Sequence, residues 1–89
     1  MKLEKINMKL EVCMEEIMRL SERVDSLLEQ AELEEDFNSK MFRIEQAMKT
    51  ADLVSQLDSE YKKLLLKKVK KERNKLLKSI FKSLFKKES

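Results

Sequence analysis

The one cysteine, Cys13, is the only soft nucleophile in this chain, and no histidine accompanies it to act as a base. A thiol becomes reactive where cationic neighbours hold it as the thiolate. Met14, Glu15 and Glu16 follow Cys13 and supply no such charge. Its position in the apolar repeat described below makes it a buried packing residue instead. A lone cysteine excludes an intramolecular disulfide, and the missing histidines exclude an ordinary zinc or haem ligand set. Two copies in parallel would bring two Cys13 thiols together, but a reducing cytosol keeps them reduced.

Glu11, Glu15, Glu22, Asp25, Glu29 and Glu32 include pairs at helical i, i+4 spacing. A solvated helix face is the commoner origin of such a pattern. No stretch has the spacing of a calcium loop, and a di-metal bundle would need Glu-x-x-His elements. Glycine and proline are both absent, which removes phosphate-cradling loops and most of the loop chemistry on which enzymes rely. The expectation is a protein that is not an enzyme, with no cofactor, no metal and no small-molecule substrate. Among the six methionines, Met8, Met14 and Met18 fall on or beside the repeat, where adaptable packing or a permissive docking surface is expected.

The lysines are more suggestive. Residues 62–73 form a dense cationic run, and Leu76, Leu77, Ile80, Phe81, Leu84 and Phe85 then cover one half of a helix. Lys75, Lys78, Ser79, Lys82, Ser83 and Lys86 cover the other half, which makes a basic amphipathic helix. Lys67, Lys68, Lys70, Lys71, Lys75, Lys78, Lys82 and Lys86 are the candidate contacts to an anionic surface. The plain account is that Leu76 to Phe85 fill a bundle core. The alternatives are an anionic membrane, nucleic acid held through its phosphates, and an acidic protein surface. Nucleic acid ranks lower because the charges are lysine and no aromatic interleaves them for base stacking. Phosphorylation of Ser79 or Ser83 would weaken any such anionic contact.

The elements that carry these groups are helices. Leu3, Ile6, Leu10, Cys13, Ile17, Leu20, Val24, Leu27 and Ala31 alternate at spacings of three and four, so every a and d position over four heptads is apolar or cysteine. This is the expected partner-helix seam. Met14 and Leu28 at e positions widen it toward a bundle of three or more helices, with a plain two-stranded coiled coil as the alternative. The seam stops at Glu34, and Glu34-Glu35-Asp36-Phe37-Asn38-Ser39 reads as a break, with Asp36, Asn38 or Ser39 as the next N-cap. A new stripe of Phe37, Met41, Ile44, Met48 and Ala51 follows. Val54, Leu57, Tyr61, Leu64 and Leu65 then lie about 120° around from it at 100° per residue. Thr50, Ser55 and Asp58-Ser59 are candidate caps for a second corner near 57–60. The expected fold is therefore all-α, a single domain over 1–89 with helices at about 2–35, 38–57 and 59–87. A two-helix hairpin with one very long arm is the alternative.

Charge divides the chain. Residues 1–60 hold 8 basic and 15 acidic side chains, and residues 61–89 hold 12 basic and 2 acidic. The two parts should pair antiparallel, or each should recruit a partner of opposite sign. The functional expectation is an assembly subunit or adaptor, working by heptad packing with copies of itself or with another protein. A peripheral module on membrane or nucleic acid, and a small inhibitor or chaperone that masks a protein surface, are the alternatives. No apolar run approaches the roughly 18 residues of a membrane span, and neither end shows a targeting signal, so the expected location is cytoplasmic, with the nucleus or a membrane periphery as variants.

Overall fold

The computed structural model describes residues 2–88 and consists of two helices, α1 (Leu3–Leu33) and α2 (Phe37–Glu88), folded into an antiparallel hairpin. The molecule is a rod of 80 × 18 × 15 Å. Its length is that of α2 itself, since 52 residues at about 1.5 Å each span about 78 Å.

The corner forms at the expected break. The Glu34 N–H donates back to the carbonyls of Gln30 and Ala31, which closes α1. Asp36 then caps α2: its Oδ2 accepts from the Ser39 N–H at 2.9 Å, and its carbonyl accepts from the Lys40 N–H at 3.0 Å. Arg43 ties the two sides together, with Nε 3.3 Å from Glu34 Oε1 and a second nitrogen bonded to Gln30 Oε1. No described residue has a positive φ, so a turn made without glycine needs no left-handed position.

No second corner exists. The chain is helical straight through 57–60, and two of the cap candidates, Thr50 and Asp58, have another use. The Thr50 hydroxyl donates to the Gln46 carbonyl at 2.8 Å, four residues back within the helix. Asp58 pairs with Lys62 at 3.1 Å, one turn on. With neither proline nor glycine to stop it, α2 continues.

The α1 seam packs against α2 of the same chain. Ile6, Leu10, Cys13, Leu27 and Ala31 are buried, while Leu3, Ile17, Leu20 and Val24 are half-buried. Opposite them, Ala47, Thr50, Val54, Leu57, Tyr61 and Leu64 of α2 are buried or half-buried, again at spacings of three and four. That row continues into Lys68 and Lys71, both half-buried. Leu3 shares a shallow groove with Lys71, Asn74, Lys75 and Lys78, so lysine stems cover the apolar end of α1 while their ammonium groups reach water. Ile6, the next seam residue inward, is 0% exposed.

Candidate functional site

Two helices bury little, and the apolar side chains left outside the seam are the candidate site. Met14, Met18, Ser21, Asp25 and Leu28 follow one another by four and three residues along one line of α1. Phe37, Met41, Ile44, Met48 and Ala51 do the same on α2. Ser21 and Asp25 line a shallow groove together with Ala51 and Val54, so both lines border one face of the hairpin. Met14, Met18, Leu28, Phe37, Met41 and Met48 are all exposed there, Phe37 by 72%. The stripe from Phe37 to Ala51 thus faces outward, and only Ile44 is partly covered. Arg43, Ala47 and Thr50 take the inward positions instead.

This face has acidic edges. Glu15, Glu22 and Glu29 recur every seven residues just beyond the α1 line, and Glu45 and Asp52 do so beyond the α2 line. All five are exposed. On a helix these positions lie next to the apolar line on its outer side. Residues 14–60 together hold 13 acidic and 5 basic side chains.

The opposite flank is mixed. Met8, Lys9, Val12, Cys13 and Glu16 of α1 line a groove with Leu57, Glu60 and Leu64 of α2. The Cys13 thiol donates to the Leu57 carbonyl at 3.3 Å and is buried. Near this groove Arg19 binds Glu16 with two nitrogens, the Nε contact at 3.2 Å. That hydrogen bond, with the guanidinium charge behind it, holds the Glu16 carboxyl below the usual glutamate range.

The third feature is an arm. Beyond the groove that Leu3 shares with Lys71, Asn74, Lys75 and Lys78, α2 extends past the start of α1. Leu76, Leu77, Ile80, Phe81, Leu84 and Phe85 are all exposed, Phe85 by 69%, so they do not fill a core. Of the candidate contacts, Lys67, Lys70, Lys75, Lys78, Lys82 and Lys86 are exposed, whereas Lys68 and Lys71 sit on the seam. Lys68, Lys71, Lys75, Lys78 and Lys82 form one row at seam spacing, on the side of α2 away from the arm's apolar face.

The acidic and basic parts of the chain do not cover each other. Because the corner lies at 34–36, the cationic run falls level with the start of α1, where Lys2, Lys5 and Lys9 outnumber Glu4 and Glu11. The rod is therefore charged end to end: residues 1–13 and 61–89 hold 15 basic and 4 acidic side chains. Sequence spacing alone missed this polarity because it depends on where the hairpin turns.

Among the described residues, no group of acidic or cysteine side chains is placed to hold a metal ion, and no helix is long and apolar enough to cross a membrane. Family models, curated proteins and solved structures give no match to this chain.

Proposed function

We propose that the chain is a non-enzymatic assembly subunit: a prefolded hairpin that offers an apolar face with acidic edges to a basic amphipathic helix. The observation that carries this reading is the exposure of Met14, Met18, Leu28, Phe37, Met41 and Met48 on one side of the hairpin. Scattered exposed apolar residues are ordinary, but six large ones aligned along one face of the hairpin, with a charged rim, mark an interaction site. The flat groove between two helices suits a third helix, read at i, i+3, i+4 and i+7 spacing. The rows Glu15, Glu22, Glu29 and Glu45, Asp52 favour lysine or arginine at its edges. Methionine, at four of the six positions, lets the face adapt to its ligand.

The test uses the full chain and the double variant Met18→Glu/Met41→Glu. Both positions are exposed, so helix content by circular dichroism should match the parent. Binding of a fluorescent basic amphipathic peptide should weaken by at least tenfold. Equal binding by parent and variant refutes the reading.

A second reading concerns the arm alone. Its apolar half-face and opposed lysines fit an anionic bilayer surface, with the rings at the acyl boundary. Co-sedimentation with phosphatidylserine vesicles at physiological salt tests it, and no binding rejects it.

A further inference from the structure

The hairpin leaves two apolar surfaces uncovered, the acid-edged face and the arm, and they are complementary in charge. They cannot meet within one molecule. Met48 and Leu84 lie on the same unbroken helix, which sets them about 54 Å apart at 1.5 Å per residue. They do, however, point the same way. Met41 and Leu77, Ile44 and Ile80, and Met48 and Leu84 are each separated by ten helical turns, so the three pairs lie within about 60° on the helix wheel.

A second copy laid antiparallel along this side brings each arm over the acid-edged face of the other. A two-fold axis across the rod satisfies both contacts at once, the closed self-complementary arrangement usual for dimers. The cationic end of one copy then lies level with the acidic half of the other, which holds Glu15, Glu22, Glu29, Glu45 and Asp52. A parallel pair would instead set the two cationic ends side by side. We propose that the chain forms an antiparallel homodimer by reciprocal docking of residues 76–86 on the face built from Met14, Met18, Leu28, Phe37, Met41 and Met48. This inference rests on the function proposed above and names its partner as a second copy. A membrane would cover the arm but leave the acidic face bare, whereas a second copy covers both.

Light scattering on the full chain should give twice the monomer mass of 10.6 kDa, falling toward the monomer as salt screens the charges. In a Cys13→Ser background, a short bismaleimide should join Met48→Cys/Leu84→Cys into a covalent dimer, while Met48→Cys alone and Leu84→Cys alone stay monomeric. Because one chain holds the two sites far apart, such a link can only run between copies. Phe81→Glu/Leu84→Glu should abolish the dimer and keep the hairpin's helix content. A monomeric parent across the accessible concentration range overturns the proposal, and so does a dimer that crosslinks through Met48→Cys alone. A monomer that binds phosphatidylserine vesicles, and loses them with Phe81→Glu/Leu84→Glu, assigns the arm to membrane. In each of those cases the peptide experiment with Met18→Glu/Met41→Glu still decides whether the acid-edged face binds a helix.

Discussion

The Cys13 thiol donates to the Leu57 carbonyl at 3.3 Å, joining two residues 44 apart across the hairpin. Leu57 sits where the sequence suggested a corner, and its position opposite Cys13 requires α2 to run through unbroken. The thiol is buried at the middle of the seam, so a maleimide reaches it only when the helices part. We expect Cys13 alkylation to be slow in buffer, to accelerate by more than a hundredfold in denaturing guanidinium, and to follow the loss of helix signal. Immediate stoichiometric labelling of the native protein would contradict this packing.

The continuity of α2 has its own test. Ser59 is exposed and lies mid-helix, where a proline removes one backbone bond, clashes with the preceding turn and costs about 3 kcal/mol or more. Ser59→Pro should therefore lower the melting temperature sharply. Ser59→Ala, which removes only a mid-helix hydroxyl, should raise it slightly. A corner at 57–60 would instead accept the proline with little loss.

At the true corner, Asp36 accepts the Ser39 N–H at 2.9 Å. Asp36→Ala should destabilise the hairpin by about 1 kcal/mol, the usual loss for an N-cap, and Asp36→Asn should recover most of it. Chemical denaturation of the three proteins measures both steps.

The difference between those two sites explains how far the sequence could be read. The α1 seam was legible because nine residues from Leu3 to Ala31 repeat without exception, and the break at 34–39 because Asp36, Asn38 and Ser39 cluster there. The α2 seam was obscured. Its inward row mixes Arg43, Ala47 and Thr50 with Val54, Leu57, Tyr61 and Leu64, then continues as Lys68 and Lys71. Apolar residues alone trace the outward stripe from Phe37 to Ala51, so the row facing α1 became visible only beside α1. The same ambiguity made Thr50 and Asp58 look like caps, although a hydroxyl bonded to Gln46 and a carboxylate paired with Lys62 are compatible with helix. The acid-edged face follows from the same register, since it needs both helices in place.

Lysine at a seam position is a compromise that mutation can expose. Lys71 is half-buried beside Leu3, where its stem packs while its charge adds to a crowded cationic end. Lys71→Leu should extend the apolar seam, relieve like-charge repulsion and stabilise the hairpin by about 1 kcal/mol. The gain should shrink at high salt, as repulsion is screened in the parent. Lys71→Ala, which removes the stem as well, should gain less than Lys71→Leu.

The pH dependence of Glu16 should carry the mark of its partner Arg19. Arg19 lowers the Glu16 pKa mainly through its hydrogen bond; desolvation opposes this, and the guanidinium charge adds a lesser lowering. A carboxylate whose pKa is depressed on folding contributes stability above its unfolded pKa, and that contribution is lost as pH falls through the folded value. Both groups are exposed, so the effect on global stability is small and the local titration is the better readout. Carboxyl-carbon NMR should find Glu16 titrating below the usual glutamate range. Arg19→Gln should return it to the ordinary range.

Hydrogen exchange connects the arm to its proposed role. Residues 76–86 are helical with exposed side chains, and an isolated helix of that length is marginal in water. In dilute solution their amides should exchange almost as fast as an unfolded chain, while those of 47–64, beneath the α1 seam, are protected by the opening of the whole hairpin. Raising the protein concentration should then slow the arm and leave 47–64 nearly unchanged, because docking orders only the arm. The Phe81→Glu/Leu84→Glu variant should stay fast at every concentration. An arm protected equally at all concentrations would mean that its helix is held by its own chain, and reciprocal docking would have nothing left to explain.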